Sequence, residues 1–95
     1  MKVYVSIPIT GKDYEEQKEL AYHISKQLAL NGHDAITPFD VVKSSDTPYN
    51  EAMGMCIAAL LECDGIYLCK GWENSKGCKA ECRVAQVYDK TFISF

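Results

Sequence analysis

Glu81 is the residue in this chain whose position is hardest to explain without chemistry. The segment after Ser75 has a helical pattern, and its stripe at i, i+3, i+4 and i+7 reads Glu81, Val84, Ala85, Tyr88, so a carboxylate stands where a hydrocarbon belongs. With Ser75 as N-cap, Glu81 falls in the second turn, too deep for a capping-box partner, which sits three residues after the cap. Turning a carboxylate inward costs free energy unless it is hydrogen-bonded or lines a cavity. Two readings follow. Glu81 is either a structural carboxylate bonded to a backbone donor, or an ionised group at a cavity, able to act as nucleophile or base at carbon on a small polar ligand.

The residues around it extend the second reading. Ser75-x-Gly77 at a helix N-terminus can offer backbone N–H groups and a hydroxyl to an anion such as phosphate. It can equally be an ordinary cap followed by a glycine that relieves crowding. Thr10-Gly11-Lys12 is a weaker loop signal without the spacing of a P-loop or a dinucleotide fingerprint. Trp72, in a loop next to Gly71, can stack on a planar ligand or pack down as a lid. The cysteines read as core: there is no Cys-x-x-Cys, and Cys78 and Cys82 have no histidine beside them, so no metal is expected. His23 and His33 read as surface or helix-end residues, and Asp64 as a turn former.

These groups must be positioned by the elements between them. Lys2 to Ile7, β-branched and aromatic, is a first strand. Asp13 or Thr10 caps a helix to about Leu30, with Leu20, Ala21, Ile24 and Leu28 buried, and Asn31-Gly32 ends it. Asp34 to Thr37 is a second strand stopped by Pro38, and Phe39 to Thr47 a loop. Asp46-Thr47-Pro48 starts a helix running to Glu62 or Cys63. Ile66 to Cys69 and Thr91 to Phe95 are strands flanking the Glu81 helix. Strands alternating with helices predict right-handed βαβ units, a flavodoxin-like three-layer α/β/α fold with a four-stranded parallel sheet in the order 2-1-3-4. The ligand crevice then lies beyond the carboxyl ends of strands one and three, where Pro8–Lys12 and Lys70–Gly77 emerge.

The bulk numbers fit one domain spanning residues 1–95, burying roughly 65% of its unfolded surface. A net charge of −3 with scattered basic residues argues against duplex nucleic acid. The longest uncharged run, Ala52 to Leu61, is half the length of a membrane span. Because the first residues read as a strand, no signal peptide is expected, and the five cysteines then suggest a reducing cytoplasm. Ala52–Leu61 is apolar all round, so a homodimer through the 48–62 helix is expected to cover its outer side.

Tyr4 in strand one, Thr10-Gly11 after it, and Cys63-Asp64-Gly65-Ile66-Tyr67 leading to Ser75-x-Gly77-x-x-x-Glu81-x-x-x-Ala85 resemble the nucleoside 2-deoxyribosyltransferase superfamily. Gly71-Trp72-Glu73-x-Ser75-x-Gly77 looks like a small branch of bacteria and phages, the DUF4406 type. The resemblance spans nearly the whole chain. It implies a small-molecule nucleoside or nucleotide ligand, no cofactor, and Glu81 as nucleophile on C1′ of a 2-deoxyribose. Tyr4 would support Glu81, and Ser75, six residues before it, would hold a 5′-phosphate. Ile9, Thr10, Gly11, Asp40, Trp72, Ser75 and Gly77 would contact the substrate. Two departures bear on turnover. Counting eight residues back from Asp64, where the family carries an aspartate that assists base departure, lands on Cys56. Ile7 stands where the family usually has a small glycine. The extra strand and C-terminal elements that help close family sites have no counterpart after the fourth strand. The resemblance therefore implies either an N-glycosidase or deoxyribosyltransferase, or a non-catalytic module that binds a nucleotide or ADP-ribose-like signal.

Overall fold

Alternation along the first strand organises the molecule. In β1 (Lys2–Ser6) successive side chains face opposite sides, and Val3, Tyr4, Val5 and Ser6 are all fully buried, as a central strand covered on both faces requires. A computed structural model describes residues 1–95. β1 is flanked by β2 (Asp34–Ile36) and β3 (Gly65–Leu68), with Val3 opposite Ala35 and Tyr4 opposite Ile66. β4 (Thr91–Ile93) pairs with β3, and every pairing is parallel in the order β2-β1-β3-β4.

The helices form where the caps and stripes allow. α1 (Tyr14–Leu30) starts at Asp13, whose side chain accepts from the Glu16 N–H at 3.0 Å; Thr10, the other candidate cap, lies outside it. Its buried stripe is Ala21, Ile24 and Leu28. Leu20, expected in that stripe, is 44% exposed: it lies about 100° around the axis from Ala21, and a small sheet needs only a narrow covering face. The expected loop after β2 contains one helical turn, α2 (Pro38–Val41), because Thr37 and Asp40 form a reciprocal capping box with proline at the first position. α3 (Tyr49–Leu61) begins at Pro48 without a side-chain cap, since the Thr47 hydroxyl donates to the Ser44 carbonyl instead. A 3-10 turn at Trp72–Asn74 leads into α4 (Lys76–Val87). Tyr88, expected on the buried stripe of that helix, terminates it and is exposed.

Two cores result. On one side Val3, Val5 and Ile7 pack with Ala21, Ile24, Leu28 and Cys69. On the other, Tyr4 and Ile66 pack with Cys56 and Leu60 of α3, Ala85 of α4, and Cys63. The fold is thus the flavodoxin-like three-layer α/β/α arrangement, with α1 on one face and α3 and α4 on the other. No helix is long and apolar enough to cross a membrane.

Candidate functional site

The carboxyl ends of β1, β2 and β3 open onto a cavity of about 640 Å³, within the usual range for small-molecule sites. Its wall is built from the segment after β1 (Ile7 to Thr10, and Lys12), the turn after β2 (Pro38, Phe39), the start of α3 and the segment from Asn74 to Cys78. The parallel topology brings these together, as expected for a crevice where strands end at a reversal of strand order. Tyr14 and Phe39 form an edge-to-face pair on this wall, with ring centroids 5.2 Å apart.

Glu81 lines the cavity and is 4% exposed. Its partners are side chains and not the main chain. The Tyr4 hydroxyl donates to Oε2 and the Ser6 hydroxyl to Oε1, each at 2.7 Å. Burial pushes the Glu81 carboxyl above its ordinary value, and the Ser6 and Tyr4 hydroxyls, which favour the ionised form, oppose that shift. Burial also pushes up Tyr4, helped by the neighbouring Glu81 charge and by Cys56. The Cys56 thiol is likewise raised by burial, so it is a neutral S–H group on the cavity wall.

Of the residues expected at the site, Glu81, Ile9, Thr10, Ser75 and Gly77 line the cavity, and Tyr4 stands directly behind Glu81. Ser75 is a true cap: its Oγ accepts from the Cys78 N–H at 3.2 Å. Gly77 relieves crowding, because a Cβ there would lie 3.3 Å from Met53 Sδ and 3.5 Å from the Tyr49 hydroxyl. Ile7 and Cys56 also reach the wall. Gly11, Asp40 and Trp72 do not line it. Gly11 turns the chain with φ +79°; Asp40 Oδ2 is taken up by the Thr37 N–H and hydroxyl at 2.8 and 3.1 Å; Trp72 opens the 3-10 turn and stays half-buried. His23 and His33 lie off the wall, and all five cysteines are buried, as expected for core residues.

Sequence reasoning missed Ser6, although its spacing of two from Tyr4 places both hydroxyls on one strand face. It also missed the hydroxyl-bearing loop at Ser44, Ser45 and Thr47, which nothing in the spacing marks before the chain folds. Lys12 and Lys76 belong to the two segments expected to emerge at the crevice, and both line its wall.

This doubly wound architecture is shared with a solved 2-deoxyribosyltransferase. A solved structure of 2-deoxyribosyltransferase from the psychrotolerant bacterium Bacillus psychrosaccharolyticus superposes with a TM-score of 0.71, covering 97% of this chain and 69% of that one at 13% identity. That enzyme is described as a biocatalyst for the synthesis of antiviral and antitumoral nucleosides. No curated protein matches the chain. The chain belongs to the DUF4406 family, a domain of unknown function whose pattern matches residues 1–94.

Proposed function

We propose that this protein binds a nucleoside or nucleotide in the cavity and that Glu81 attacks C1′ of its 2-deoxyribose. A carboxylate oxygen forms a bond to C1′ as the C1′–N bond breaks; the bonding pair leaves with the base, which takes a proton from water. Water or a second base then opens the glycosyl ester from the other face, restoring the carboxylate and retaining configuration, as in retaining glycoside cleavage. The observation that carries this reading is the buried Glu81 on the cavity wall, its two oxygens held by Tyr4 and Ser6. Ser75, beside it on the wall, is the contact for a 5′-phosphate.

Incubation with deoxynucleosides and their 5′-monophosphates, following free base by chromatography, tests it. Base release is expected with wild type and a loss of at least ~1,000-fold with Glu81→Ala. Equal rates would remove the assigned role.

One observation favours a second reading. A neutral thiol at Cys56, where the resembled family uses an aspartate, is a weak helper for base departure, whereas binding does not need one. On that reading a nucleotide at about 100 times its dissociation constant stabilises the fold by roughly 2.7 kcal/mol without product.

We further propose a cytoplasmic homodimer. The exposed Tyr49, Met55 and Leu61 of α3 support the interface, and five unpaired cysteines support the compartment. A monomer mass independent of concentration in sedimentation would contradict the dimer.

A further inference from the structure

β1 delivers two hydroxyls to the buried carboxylate, and neither makes or breaks a bond at C1′. An ionised carboxylate accepts at about four lone-pair positions. With one donor on each oxygen at 2.7 Å, both oxygens retain acceptor capacity, and the group cannot turn about its last bond without losing both contacts. Ser6 has a single hydroxyl proton, directed at Glu81. The Cys78 thiol lies close by on α4 and is raised by burial. Ser6 is fully buried and absent from the cavity wall, so it acts on a ligand only through the wall residues beside it, of which Glu81 is the one it holds by a hydrogen bond.

We infer that Ser6 is a positioning residue: its hydroxyl fixes the orientation of the Glu81 carboxylate and holds it in the charged, nucleophilic form inside a buried site. The orientation half of this inference rests on Glu81 being the nucleophile; the charge half does not. The groups around Glu81 are Tyr4 and Ser6 on β1, Cys56 on α3 and Cys78 on α4 itself, with Cys69, just past β3, close enough to feel its charge from the α1-side core. Burial raises all four titratable neighbours, Cys69 to about 12, so around neutrality each is uncharged. Lys12 and Lys76 line the same cavity, yet neither is among the groups that shift Glu81. With no cation to hold the proton off, that task falls to the two hydroxyls.

Two measurements separate this assignment from the proposed activity. In the first, base release is followed against pH in wild type, Ser6→Ala and Ser6→Thr. Ser6→Ala should lower kcat about 10- to 100-fold, leave KM within about twofold and move the acidic limb to higher pH, while Ser6→Thr, which keeps the hydroxyl, restores the limb. An unmoved limb, or a rise in KM with kcat intact, overturns the inference. In the second, unfolding is measured against pH for Ser6→Ala in the wild-type and Glu81→Gln backgrounds. Ser6→Ala should destabilise more near neutrality than below the ordinary glutamate range, and this pH difference should vanish with Glu81→Gln. A destabilisation independent of pH overturns the inference whether or not the protein turns over substrate. The expected pattern without base release sustains the control of charge by Ser6 and discards the nucleophile.

Discussion

The two faces of the sheet share β1 and use it differently. Toward α1 the strand sends Val3 and Val5 into an apolar core with Ile7, Ala21, Ile24, Leu28 and Cys69. Toward α3 and α4 it sends Tyr4 and Ser6, which meet Glu81 beside the cavity. The first face depends on packing alone. The second accepts a desolvated carboxylate, which opposes folding, and offsets it with two short hydrogen bonds. A period of two thus lets five consecutive residues serve stability on one side and a candidate reaction on the other.

The contrast can be broken at its ends. Leu28→Ala on the α1 face should cost about 2–5 kcal/mol of stability, with little dependence on pH and no change in ligand preference. A pH-dependent loss in chemical denaturation would show that the faces are coupled. Tyr4→Phe on the other face removes a donor to the carboxylate and should cost about 1.5–3 kcal/mol near neutrality. Glu81 has a folded pKa raised above its ordinary 4.5. The folded state therefore holds its proton more tightly than the unfolded chain, so stability is greatest below that value and declines as pH rises through the raised one. Tyr4→Phe widens this window, and its effect should shrink in acid. A constant effect across pH would break the contrast. Ser75→Ala should cost about 1 kcal/mol through the lost cap. It sharpens the comparison if binding of 5′-monophosphates weakens more than binding of nucleosides in calorimetry, and blunts it if both change alike.

Much of this was legible in the sequence. Strand order followed from alternating strand and helix patterns, and Glu81 betrayed itself by interrupting an apolar stripe. Other features were visible but ambiguous. Thr37-Pro38-Phe39-Asp40 carries a complete capping box, yet Pro38 read alone signals only the end of a strand. Asp40, a substrate contact by resemblance, instead has its carboxylate committed to Thr37. Leu20 shows the reverse problem: its hydrophobicity fits the helix, but how wide a face the sheet covers is a tertiary quantity. Ser6 was hidden because a serine in a strand is unremarkable until its opposite partner is known. The wall contributed by Ser44, Ser45 and Thr47 depends on where a loop folds, which no periodicity encodes.

The bare backbone at Gly77 has a consequence for how this chamber can change. Since the nearest obstacle to a methyl there is the thioether of Met53, a flexible side chain that borders the same hollow, Gly77→Ala would push that sulfur aside without unseating the helix. Position 77 is therefore a sizing screw: bulk added on one helix is transmitted across the seam and retunes the room available to a guest, while the acid itself stays where it is.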